Sequence, residues 1–179
     1  MVATTRIKVY TGADAGVVHP ASGLDASNWN LLSVDAYDED LTGYQNTGSM
    51  ITVPSAGTAY SYERWMRLQF NGVFNSIDNI KFFKSAGTLS DANLDLAAGS
   101  HHTGTTPVVT NSVYAENATA DWDTSGEAIE ITSGLTFTTA ITAATGYSNY
   151  VVVQLDVPST VTTPGNIGSQ TMTFYYDET

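Results

Sequence analysis

The chain has 179 residues, 42% hydrophobic and 11% aromatic, enough to bury a core as a single domain over residues 1–179. Only 13% are charged, 18 acidic against 6 basic for a net charge of -12, and there is no cysteine. This composition excludes disulfides and thiolate metal sites, and with no apolar run of spanning length and no cationic stripe it argues against membrane and nucleic-acid partners.

Strand signals run along most of the chain. Arg6 to Tyr10 alternates, with Ile7 and Val9 on one face. Asp25 to Leu32 reads at most as a single helical turn in a loop, and so does Asp91 to Ala98, because neither sustains a 3.6-residue period. Tyr60 to Phe74 is the longest strand candidate, with Tyr60, Tyr62, Met66, Leu68 and Phe70 on one face. Arg64 and Trp65 break its alternation, which implies partial cover on both faces.

Asn79 to Lys84 follows as a short strand, then Val108 to Tyr114, and then Ala128 to Thr132 and Thr136 to Thr142 paired across Ser133-Gly134. Val151, Val153, Leu155 and Val157 alternate with Val152, Gln154 and Asp156, and in the last strand Met172, Phe174 and Tyr176 oppose Thr171, Thr173 and Tyr175. Ser55-Ala56-Gly57-Thr58 and Thr163-Pro164-Gly165-Asn166 supply turns. Short strands separated by turns predict an all-β fold, a two-sheet antiparallel sandwich of immunoglobulin-like or jelly-roll connectivity. The expected core is Ile7, Val9, Tyr62, Met66, Leu68, Phe70, Val151, Val153, Leu155, Met172 and Phe174.

No catalytic motif is present: there is no Gly-x-Ser-x-Gly elbow, no His-Glu-x-x-His pair and no phosphate-cradling glycine loop. His101-His102 reads as a solvated loop tip, because adjacent side chains on extended backbone point apart; His19 stands alone. Asp121, Asp123 and Ser125 alternate as oxygen donors ahead of Gly126, like the opening of a calcium loop. Thr132 stands where the bidentate carboxylate belongs and Ile129 where a water-mediated ligand is usual, so a solvated acidic turn is expected, with these three residues as the calcium candidate. Asp38-Glu39-Asp40 is a second solvated acidic run, and no other cofactor is expected. Trp29, Trp65, Trp122 and the tyrosines offer stacking platforms for a sugar, against the commoner fate of core and corner residues.

The charge is lopsided. Arg6, Lys8, Arg64, Arg67, Lys81 and Lys84 are all of the cations, and none occurs from Ser85 to Thr179. The surface is then largely Thr, Ser, Asn and Gly, which costs little side-chain entropy to bury against a neighbour. These features predict an oligomeric or lattice-bound subunit whose acidic half and cation-containing half face different surroundings, with Arg64 and Arg67, on opposite faces of one strand, as the partner-contacting residues.

Thr5-Arg6-Ile7-Lys8-Val9-Tyr10, the aromatic strand Tyr62-Glu63-Arg64-Trp65-Met66-Arg67-Leu68, and the ending from Thr163-Pro164-Gly165 through Thr173-Phe174-Tyr175-Tyr176-Asp177-Glu178 together give the chain its style. In that style it resembles small β-sandwich virion proteins of tailed bacteriophages. The resemblance implies a non-enzymatic structural role, foremost capsid decoration or cement, next a tail, neck or fibre component. Its partners are then the major capsid protein or other virion subunits, with neither nucleic acid nor membrane bound. A start without a secretory leader fits a protein made and assembled in a host cytoplasm and located in the virion. The rival readings are a carbohydrate-binding or cell-surface sandwich, and a hydrolase hidden among the carboxylates. Exposure of the tryptophans separates the first two: a displayed coplanar pair favours sugar, and burial favours assembly.

Overall fold

The computed structural model describes residues 4–10, 24–25, 51–61, 63–72, 76–101, 129–130, 146–163, 165, 168 and 170–178. Among these the chain is all-β and antiparallel, with no helix. The strands are β1 (Thr4–Tyr10), β2 (Leu24–Asp25), β3 (Thr58–Tyr60), β4 (Arg64–Asn71), β5 (Ile77–Ala86), β6 (Asp95–His101), β7 (Ile129–Glu130), β8 (Gly146–Tyr147), β9 (Tyr150–Pro158) and β10 (Thr171–Glu178).

They form two sheets. In the larger, β2 pairs β1 and β1 pairs β4. The other edge of β4 pairs β8 and then β9, β3 continues along β9, and β6 closes on the far edge of β9. The smaller sheet has the order β10-β5-β7. Both contribute to one apolar cluster: Met66, Leu68 and Phe70 from β4, Leu96 and Ala98 from β6, Val151, Val153, Leu155 and Val157 from β9, and Ile77, Ile80 and Phe82 from β5. Met172, Phe174 and Tyr176 of β10 pack against it. Phe70 of the larger sheet and Tyr176 of the smaller meet edge-on at 5.3 Å between ring centroids.

Six of the expected core residues, Met66, Leu68, Phe70, Val151, Val153 and Leu155, are buried in this cluster, and Ile7, Met172 and Phe174 are partly buried against it. Tyr62 and the side chain of Val9 lie outside the described residues. β9 is buried on both faces, since Tyr150, Val152 and Gln154 are covered as well as the core-facing set. The expected turn at residues 55–58 takes the form of a bend over residues 55–57, where Gly57 has φ 74° and its carbonyl accepts the Ser159 N–H at 2.9 Å.

The long strand expected from Tyr60 to Phe74 is divided. Tyr60 pairs with Asp156 and Arg64 with Val153, so residues 61–63 face only residues 154–155. This surplus residue is a β-bulge, and it exchanges the two faces of the strand. Ala59 packs on the core before it, whereas Met66, Leu68 and Phe70 do so after it. Tyr60 therefore does not share a face with Met66, whereas Arg64 and Trp65 follow the bulge and keep their places among the core-facing and outward-facing sets; both are buried, so both faces of β4 are covered there.

A second bulge lies on the partner strand. Tyr147 pairs with Gln69 and Val151 with Met66, so residues 148–150 face residues 67–68. A buried serine sits at each bulge. The Ser61 N–H donates to the Leu155 carbonyl at 2.9 Å, and the Leu155 N–H donates to Ser61 Oγ at 2.9 Å. The Ser148 N–H donates to the Leu68 carbonyl and the Leu68 N–H to Ser148 Oγ, both at 2.8 Å. In each case the hydroxyl stands in for the carbonyl that the bulge displaces, so a buried amide keeps its acceptor. In the smaller sheet, residues 79–80 of β5 face Tyr176 alone. Asn79 takes the left-handed conformation there, φ 51°, which asparagine tolerates better than most side chains, and its Nδ2 donates to Asp177 Oδ2 at 2.9 Å.

The segment from Asp91 to Ala98 is not helical. A turn over Asp91–Leu94, closed by the Leu94 N–H on the Asp91 carbonyl at 3.1 Å, leads directly into β6, which pairs β9 along its whole length. Burial of Leu96 and Ala98 against the core outweighs the modest helix preference of Leu-Asp-Leu-Ala-Ala. The segment Asp25 to Leu32 is described only at Asp25, which is in β2 opposite Lys8. β7 covers part of Ala128 to Thr132, and the strands expected at Val108 to Tyr114 and Thr136 to Thr142 lie outside the described residues.

Candidate functional site

The chemistry-bearing side chains of the larger sheet gather on its face away from the shared core. The bulge at Ser61 puts Glu63, Trp65, Arg67 and Gln69 there, and Tyr147 and Tyr150 join them from the neighbouring strand. Trp65 is fully buried and Glu63 is 1% exposed; the indole Nε1 donates to Glu63 Oε2 at 2.9 Å. The Trp65 ring lies tilted on Tyr150 at 5.4 Å. The Arg67 guanidinium stacks 3.9 Å from the Tyr147 ring centroid and 4.9 Å from that of Tyr150, a cation held by two π faces. Gln69 Nε2 donates to the Tyr147 hydroxyl at 3.0 Å. Burial pushes the Tyr150 hydroxyl above its ordinary value, with the nearby Arg67 charge opposing it. Trp65, Glu63 and Tyr150 are buried and Arg67, Gln69 and Tyr147 half-buried, so the cluster is a mutually bonded polar and aromatic layer of which only the last three are partly exposed.

Further along the same face, Asp156 of β9 stands opposite Asp95 of β6 and opposite Tyr60 of β3. Its Oδ1 is buried without a hydrogen-bond partner. Burial first and the Asp95 charge second push its carboxyl up to about 6. Asp91 shows the opposite behaviour. Its carboxylate accepts the N–H and Nδ2 of Asn93, the N–H and Oγ1 of Thr162 and the N–H of Thr163, at 2.8–3.1 Å. The Asn93 and Thr162 amides hold it well below the usual carboxylate range. It thereby ties the turn before β6 to the segment after β9.

The sequence-predicted residues fall as follows. Asp121, Asp123 and Ser125, the calcium candidate, lie outside the described residues, as do His19, His102, Trp29, Trp122 and Asp38-Glu39-Asp40. His101 is the last residue of β6. Among the described residues no group of three or more His, Cys, Asp or Glu side chains is placed to hold a metal. Arg64 is 2% exposed, and Arg67 is half-buried on its tyrosines, so Arg67 is the arginine that a partner can reach. Among the described residues one cation crosses the sequence boundary at Lys84: β5 lies between β10 and β7, which puts Lys81 opposite Tyr175 and Glu130, and Lys81 helps lower the Asp177 carboxyl after Tyr175 and Asn79.

Sequence reasoning passed over Asp91, the Asp95–Asp156 pair and the two bulge serines. Asp91-Ala92-Asn93 does carry an Asx-turn signal. The carboxylate pair carries none, because its members are far apart in sequence and only sheet register joins them. Comparison of the chain with protein families, with curated proteins and with solved structures finds no match.

Proposed function

We propose that this chain is a non-enzymatic structural subunit of a tailed-phage virion, a two-sheet antiparallel sandwich of the capsid decoration or cement type. The observation that carries the reading is the commitment of Trp65, Glu63, Tyr150 and Gln154 to the chain's own interior. A sugar-binding sheet presents such groups to solvent, whereas here the most versatile binding residues of the described outer face are spent on internal cohesion. The low-charge Thr/Ser/Gly surface, the absence of cysteine and the core shared by both sheets support the same reading. Attachment then rests on shape and on polar contacts with the major capsid protein or other virion subunits.

The test is co-sedimentation of purified protein with particles lacking it, across a salt series. Saturable binding to heads at low salt supports decoration, and binding confined to tails or necks moves the protein to those structures. A monomer that ignores every particle and binds a polysaccharide overturns the reading in favour of a surface-binding module.

A further inference from the structure

The outer edge of the larger sheet contains a like-charge pair that packing enforces. Asp95 of β6 and Asp156 of β9 are directly opposed, which in an antiparallel pair sets their Cβ atoms about 5 Å apart. On its other side Asp156 faces Tyr60 of β3, and its same-face neighbours along β9 are Gln154 and Pro158. None of these register neighbours is a cation, and Asp156 Oδ1 is buried with no donor aimed at it. A carboxylate in such a position is stable as the neutral acid and costly as the anion, because it is poorly hydrated and stands beside a second acid.

We propose that the Asp95–Asp156 pair is a proton-operated latch on the β6–β9 ladder: neutral Asp156 lets β6 close on β9, and ionised Asp156 loosens that edge. The latch does not depend on the virion reading. Its sign follows from linkage. A carboxyl whose folded-state pKa is raised from 3.8 to about 6 favours the folded state most below pH 3.8, and that contribution is lost as pH rises through about 6.

The experiment is amide hydrogen exchange, corrected for intrinsic rates, at Ala97 and Gly99 of β6, which oppose Gln154 and Val152, between pH 4 and pH 7, with the carboxyl titration of Asp156 followed by NMR. Protection of these amides is expected to fall on the order of tenfold over that range, as the shift discounted for solvent screening implies. Asp156→Asn should abolish the fall, and Asp95→Asn should lower the Asp156 midpoint. Protection that is independent of pH in the wild type, an Asp156 midpoint at the ordinary carboxylate value, or an undiminished fall in Asp156→Asn overturns the latch. The wild-type titration alone decides the matter if a variant does not fold.

Discussion

Ser61 and Leu155 exchange two hydrogen bonds across a β-bulge, one through the serine backbone and one through its hydroxyl. Ser148 and Leu68 repeat the arrangement on the opposite strand of the same ribbon. The two bulges flank the stretch where Arg64, Trp65 and Met66 pair with Val153, Val152 and Val151. Together they determine which side chains of β4 and β9 face the core.

Removing either hydroxyl leaves a buried amide without an acceptor. Ser61→Ala and Ser148→Ala are each expected to lose about 1–3 kcal/mol of stability, measured by chemical denaturation. Ser85→Ala, at an exposed bulge of β5, is expected to change it by under about 0.5 kcal/mol. Equal effects at all three sites would show that the hydroxyls do not serve the bulges.

Phe70 and Tyr176 join the sheets, so their loss should be coupled. Phe70→Ala is expected to cost about 3–5 kcal/mol. In a double-mutant cycle with Tyr176→Leu, the ring pair is expected to contribute about 0.5–1.5 kcal/mol beyond the single effects. Strict additivity would mean that the edge-on contact does not hold the sheets together.

Asp91 predicts an acid limb in the stability profile. Its carboxyl is depressed below its ordinary 3.8, so its stabilisation is complete above about pH 4 and declines as pH falls toward the depressed value. In Asp91→Asn the acid limb should flatten, and the stability at pH 7 should fall as well, because an amide replaces a carboxylate that accepts five hydrogen bonds. The denaturation midpoint between pH 2 and pH 7 reads both effects. This window lies on the acid side of the Asp156 titration and has the opposite sign, which keeps the two apart.

Trp65 should report its burial directly. In a protein with Trp29 and Trp122 changed to Phe, the emission of Trp65 is expected to be blue-shifted and resistant to acrylamide. Addition of soluble polysaccharide should leave it unaltered. Ready quenching by either agent would return Trp65 to the list of sugar platforms.

The local alternation of the chain carried much of the architecture. Val151, Val153 and Leu155, and Met66, Leu68 and Phe70, were legible as inward sets because a half-buried strand imposes a period of two on its own sequence. The strand nature of β1, β4, β5, β9 and β10 followed from the same signal. β6 was not legible, because Leu94-Asp95-Leu96-Ala97-Ala98 alternates poorly and its conformation is set by pairing with β9. The calcium candidate and two of the three tryptophans lie outside the described residues, so for the candidate site the sequence named Trp65 and Arg67 while the structure supplied their partners.

What the sequence determined by itself was the set of quantities that depend on one stretch of chain at a time: β character, inward alternation, turn positions and the sign of the charge. Tertiary structure alone decided the quantities that depend on two distant stretches at once. A bulge is a mismatch between strands, so neither Ser61 nor Ser148 announces one in its own neighbourhood. Lys81 meets the acidic C-terminal strand only because β5 pairs β10, and Asp95 meets Asp156 only because β6 pairs β9 in one particular register. Register is set by burying one apolar face against another, and this nonlocal energy has no counterpart in the local sequence pattern.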